Sequence, residues 1–193
     1  MDPKPGDPVK FFATDAAFER WLAKHHNTSS VIWVKYAKKR SGEKSIDWSG
    51  AVDVALCYGW IDGQSKSLDE TYVLQRFTPR RKRSKWSKLN RERVARLTTD
   101  GRMRPAGLAE VERAKADGRW DAAYDPPSAA IVPDDLAAAL AKSPAARRFF
   151  ETLNAPNRYA LLHRIHDAKK PETRARRIET FIEMLKRGEK LYP

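Results

Sequence analysis

CYGWIDGQSKSLDETYVLQRFTPRRKRSKWSKLN, residues 57–90, contains a helix end, a hairpin and a helix start in unbroken succession. Gly59 follows an apolar run and suits a helix end, because glycine takes up left-handed backbone at little cost. WIDGQ and TYVLQRFT then read as two antiparallel strands around the turn-like SKSLDE. Pro79 brings no amide hydrogen to a ladder, so it stops the second strand. A basic loop, Arg80 to Lys85, follows, and Ser87 is placed to cap the next helix.

Upstream, residues 1–10 are rich in Pro, Gly and Asp and read as a loose arm. Thr14 can cap a helix running to about His26, with Phe18, Trp21 and Leu22 on one stripe. SSVIWVKYA, residues 29–37, is β-branched and aromatic and reads as a strand. Alternation places Ile32, Val34 and Tyr36 on one face and Val31, Trp33 and Lys35 on the other. Asp47 caps a short helix over about 48–57, whose Ala51, Val52, Ala55 and Leu56 face a core.

Downstream of Ser87 every periodic segment is helical. One helix runs to about Thr99 and ends at Gly101. Another opens at Pro105, carries Leu108, Val111 and Ala114 on one side, and ends at Gly118. DPPSAAIVP, residues 125–133, is the best domain boundary. Helices near 134–141, 144–153, 156–168 and 172–187 follow, the last with Ile178, Phe181, Ile182 and Leu185 on one stripe. The expected class is α+β: a small antiparallel sheet with helices over 1–124, a connection at 125–133, and an all-helical part over 134–193.

The chain has 193 residues and a net charge of +13. Between Arg76 and Arg104 twelve Arg/Lys face only Glu92 and Asp100, a net +10, and Lys169 to Lys190 adds +4. A positive field focused in this way attracts phosphates, anionic lipid or acidic protein, whereas a merely solvated helix face only maintains solubility. No apolar run reaches the roughly 20 residues that span a bilayer. The N-terminus lacks the apolar stretch of a secretory signal, so a cytoplasmic location is expected. Cys57, the single cysteine, reads as a buried inert thiol.

Two constellations are candidates for binding. Arg81, Lys82, Arg83, Lys85, Lys88 and Arg91 form a candidate surface for an anionic partner: nucleic acid, a phosphorylated ligand or an acidic protein. Trp86, among them, reads either as a core anchor or as a stacking platform. The second constellation is Trp60, Asp62, Arg76, Arg80, Ser84, Trp86 and Asn90. If the two strands pair, Asp62 and Arg76 approach across them, either as the mouth of a small-molecule pocket or as a salt bridge that fixes register. His163 and His166 stand at metal-ligand spacing, but nothing completes a site, so neither metal nor cofactor is expected. No nucleophile motif or phosphate loop is present, and a non-enzymatic binding protein is the expected kind.

ALCYGWIDGQ, RFTPRRKRSKWSKLN, GRMRPAGLAEVERAKADGRW and AKKPETRARRIETFIEMLKRG, in this order, give the chain a resemblance to the YdeI / OmpD-associated family of small bacterial proteins, also called bacteriocin-protection proteins. The resemblance runs from about Phe12 to Gly188. It implies an N-terminal part similar to the YjbR/CyaY-like α+β class, a helical OmpD-associated C-terminal domain, and a link to envelope stress and antimicrobial-peptide tolerance. It implies no reaction and no catalytic residues. Gly59, Trp60, Asp62, Pro79, Arg80, Ser84, Trp86, Asn90, Gly107 and Trp120 are the positions that match the family's motif.

Overall fold

Among the described residues, four strands and eight helices arise where local chemistry starts and stops them. The computed structural model describes residues 2–125 and 131–192. Most of the Pro-rich connection, residues 126–130, therefore lies outside the described residues. The chain divides into two compact units, Met1–Tyr124 and Asp125–Pro193. The class is α+β.

In the first unit, β1 (Val9–Phe11), β2 (Ile32–Ala37), β3 (Trp60–Ser67) and β4 (Tyr72–Pro79) form one sheet in the order β1-β2-β4-β3. β2 and β3 each pair antiparallel with β4. β1 corrects the reading of residues 1–10 as a loose arm, and it pairs parallel with β2, so the sheet is mixed. The arm is tied down by its own acid: Asp7 accepts hydrogen bonds from the Lys4 amide at 3.0 Å and from Trp33 Nε1 at 3.2 Å. At the hairpin, Asp69 Oδ1 accepts from the amides of Thr71 and Tyr72 at 2.8 and 2.7 Å, the short-range chemistry that makes Asp a turn residue.

The two faces of β2 separate as alternation requires. Ile32 and Val34 enter the main core with Phe18, Leu22, Leu56 and Phe77. Val31 and Trp33 make a smaller cluster with Leu74 on the opposite face. β3 and β4 change register between Asp62 and Ser65, a β-bulge at Gly63 and Gln64. The buried Gln75 side chain fills it, donating to the carbonyls of Gly63 at 2.8 Å and Gln64 at 3.3 Å.

α1 (Asp15–His25), α2 (Trp48–Cys57) and α3 (Lys88–Thr99) are capped by Thr14, Asp47 and Ser87, whose side chains accept from the amides of Ala17, Gly50 and Asn90. α4 (Pro105–Ala116) begins on a proline. Its buried stripe is Gly107, Val111 and Ala114, and Leu108 is 40% exposed, which corrects the expected Leu108 stripe. Gly107 is inside because α4 lies against the last turn of α2, where the Arg104 amide donates to the Cys57 carbonyl at 3.1 Å.

The second unit is built of α5 (Asp134–Ala141), α6 (Pro144–Thr152), α7 (Ala155–His166) and α8 (Pro171–Lys186). Ile178, Phe181, Ile182 and Leu185 are all buried, in one core with Leu136 and Leu161. Each such side chain contributes about 2 kcal/mol on burial. The stripe is therefore what holds α8 in place, ahead of helix propensity.

Candidate functional site

The basic segment begins where β4 ends. Arg80 turns inward: its amide donates to the Gly59 carbonyl at 2.9 Å and only 5% of the residue is exposed. Its Nη1 donates to the Lys85 carbonyl at 3.0 Å, and its guanidinium lies over the Trp86 ring, 3.5 Å from the centroid. Burial draws its pKa down to about 10, with Tyr124, Glu110 and Asp62 acting against that fall. Trp86 is 2% exposed and meets Trp120 edge to face at 4.9 Å, so it is a core anchor and no stacking platform.

Past this anchor the chain makes a tight turn. The Arg81 amide donates to Ser84 Oγ, and the Ser84 amide donates to the Arg81 carbonyl, each at 2.9 Å. Arg119 Nη1 donates to the Ser84 carbonyl at 2.8 Å and pins the turn from the side. Arg81, Lys82, Arg83, Lys85 and Lys88 are exposed on this frame, with Arg91 half-buried beside them.

The second constellation assembles only in part: Arg80 lies over Trp86 and feels the charge of Asp62, whereas Arg76 stands apart from them. Trp60 is 1% exposed, and its Nε1 donates to the His26 carbonyl at 3.2 Å. Asp62 pairs in register with Phe77, on the helix-covered face, and accepts from Trp48 Nε1 at 3.2 Å. Arg76 pairs with Trp33 on the opposite face, where its charge helps to lower the pKa of Asp7. The expected Asp62–Arg76 approach is therefore corrected, since alternation sends the two side chains to opposite sides of the sheet. Ser84 belongs to the loop turn, and Asn90 sits in the first turn of α3, its amide capped by Ser87 at 3.1 Å.

The field is also less uniform than the sequence suggests. Arg93 and Arg96 reach back to the buried Asp53 at 2.6 and 2.5 Å, and Arg104 pairs with Glu19 at 2.6 Å. Arg91 Nη1 donates to the Trp120 carbonyl at 3.0 Å. With Arg80, five of the twelve cations hold the fold together. In the C-terminal segment Arg174 pairs with Asp135, Lys186 with Glu183 and Arg187 with Glu189. In the loop after Arg80, by contrast, Arg81, Lys82 and Arg83 stand exposed in succession.

Two clefts flank that loop. On the open face of the sheet, Asp2, Lys4, Asp7, Trp33, Arg76 and Arg81 line about 670 Å³. Along α3, Lys88, Arg91, Glu92, Ala95 and Trp120 line about 550 Å³. Neither cleft was legible from the sequence, although Trp120 and Arg91 carried the signal of an aromatic beside basic residues. In the second unit a groove of about 520 Å³ lies on Ala139, Ala175, Ile178 and Ile182.

Cys57 is 2% exposed, and burial pushes its thiol up to about 11. Because the thiolate is the reactive form, a disulfide reagent at pH 8 is expected to leave the native protein unlabelled and to label one thiol per chain in denaturant. Labelling of the native protein at the denatured rate would place Cys57 at the surface.

Residues 10–110 match the model of a family described as Domain of unknown function (DUF8412). Residues 129–188 match the model described as Bacteriocin-protection, YdeI or OmpD-Associated. The resemblance expected from Phe12 to Gly188 is thus matched by that model over 129–188, whereas nine of the ten motif positions, Gly59 to Gly107, lie within the family of unknown function and Trp120 lies in neither match. No curated protein and no solved structure matches the chain. Among the described residues no helix is long and apolar enough to cross a membrane.

Proposed function

We propose that this chain, which belongs to the family described as Domain of unknown function (DUF8412) and carries a bacteriocin-protection, YdeI or OmpD-associated domain, is a binding protein whose loop 81–88 takes a phosphate-rich polyanion. One observation carries the reading: Arg81, Lys82 and Arg83 stand exposed in succession on a turn that is held from below and from the side. Among the described residues no carboxylate pairs with these three. A fixed loop loses little conformational entropy when it binds, so its charges act at full effect. Arg adds the planar fork that meets two phosphate oxygens at once. The reducing cytoplasm, where phosphate polymers and nucleic acids are plentiful, is the proposed location.

The test is binding to inorganic polyphosphate and to nucleic acid across a salt series. Affinity is expected to fall steeply with salt, because each phosphate contact releases a counterion. The triple variant Arg81→Glu/Lys82→Glu/Arg83→Glu leaves the buried Arg80 untouched. It is expected to keep the wild-type melting temperature, to lose at least about tenfold in affinity, and to flatten the logarithmic salt slope by about 2. No binding at low salt, or a triple variant that binds like the wild type, sinks the reading.

A further inference from the structure

The geometry points to the kind of polyanion, and this step rests on the reading just given: we propose a single-stranded nucleic acid, one base of which stacks in the cleft between Trp120 and α3. The cleft adjoins the cationic loop by construction. The Tyr124 amide donates to the Trp86 carbonyl at 3.0 Å, and the Lys88 amide donates to the Tyr124 carbonyl at 2.9 Å. With the Arg119 bond to Ser84, three links lace the segment that carries Trp120 to the loop that carries Arg81, Lys82 and Arg83. Lys88 belongs to both surfaces, since it follows the loop and lines the cleft.

The cleft's chemistry differs from that of the loop. Trp120 is partly exposed, and two cations lie over its ring: the Arg91 guanidinium 5.2 Å from the centroid and the Lys115 ammonium at 5.9 Å. A partly exposed indole ring with two cations within 6 Å of its centroid suits a nucleobase flanked by phosphates, the ring taking the base face and the cations the backbone. Polyphosphate and acidic peptides present no base face, and a duplex keeps its bases stacked on one another. The cleft therefore selects an unpaired strand where the loop alone selects only charge. The volume of about 550 Å³ gives a base room to enter. Among the described residues Glu92 is the one acid lining the cleft, and it repels the phosphates there.

Direct titration by fluorescence anisotropy tests this at low salt. The probes are labelled oligothymidylate, its duplex with oligodeoxyadenylate, inorganic polyphosphate and polyglutamate of matched charge. The single strand is expected to bind at least about tenfold tighter than any of the other three. Trp120→Leu is expected to abolish that advantage while leaving the polyphosphate affinity in place. Because Trp120 also packs on the core, Ala95→Gln provides a second variant: it fills the cleft from an exposed helix position, without a charge, and is expected to do the same. Glu92→Gln is expected to tighten the single strand by about threefold. If polyphosphate and nucleic acid both fail to bind, the loop reading and the stacking site fall together. If polyphosphate, duplex or polyglutamate binds as well as the single strand, or if folded Ala95→Gln keeps the advantage, the stacking site alone is overturned.

Discussion

Gly107→Ala is expected to destabilise the first unit by about 3 kcal/mol, a fall of roughly 10 °C in its melting temperature. A Cβ at this position would collide with the Cys57 carbonyl oxygen and stand 2.7 Å from that of Leu56. Both atoms are backbone in the last turn of α2, so no rotamer change can relieve the contact. The approach is reciprocal. Gly59, with φ of +73°, closes α2, and a Cβ there would meet the Ala106 carbonyl oxygen at 2.9 Å. Two helix ends thus touch backbone on backbone, which only a pair of glycines permits. The sign is the informative part. In an ordinary helix interior Gly→Ala stabilises by about 1 kcal/mol, so without this contact the melting temperature would rise. A rise on thermal denaturation would mean that α4 stands away from α2. The neighbouring exposed Ala109→Gly serves as the reference for propensity alone, with an expected loss of about 1 kcal/mol.

The same pair of glycines marks what the sequence could disclose and what it could not. Caps and stops were legible because their chemistry is local: Thr14, Asp47 and Ser87 each bond an amide three residues on. The partner of a glycine is not local, so α4 read as a Leu108 stripe although its buried side is centred on Gly107. The Asp62–Arg76 pairing failed through a single residue. Past the bulge, Ser65 opposes Gln75 and Ser67 opposes Val73. Continued without a break, that register would set Asp62 opposite Thr78, on the same face as Arg76. The extra residue at Gly63 and Gln64 sets it opposite Phe77, on the other face. A glycine inside a strand is the sequence mark of such a bulge. The basic run posed the same problem. Its composition gave the charge, but Arg80, Arg93, Arg96 and Arg104 find Trp86, Asp53 and Glu19 only in the folded chain.

Asp53→Ala carries the other large effect, an expected loss of about 3–5 kcal/mol. Asp53 is 7% exposed on α2 and holds α3 through two charge-assisted bonds, from Arg93 Nη1 at 2.6 Å and Arg96 Nη2 at 2.5 Å. The two arginines are not equivalent. The Arg93 side chain is 13% exposed and also donates to Ser49 Oγ at 3.1 Å, whereas that of Arg96 is 49% exposed and has Asp100 within 3.8 Å. Removal of the carboxylate strands a buried guanidinium, and that uncompensated charge supplies most of the loss. Arg96→Ala alone is expected to cost no more than about 1 kcal/mol, as water already screens it. The double variant Asp53→Ala/Arg93→Ala is expected to be more stable than Asp53→Ala, because it removes the stranded charge as well. Urea unfolding measures this: the midpoint of Asp53→Ala should fall by roughly 2 M, and the double variant should recover part of that. Equal midpoints for wild type and Asp53→Ala would show that the pair does not hold the helices. The consequence for binding is specific. α3 carries Lys88, Arg91, Glu92 and Ala95, one wall of the cleft on Trp120. A helix freed from Asp53 therefore blurs the single-strand preference, while the loop, held by Arg80, Trp86 and Arg119, keeps its attraction for polyphosphate.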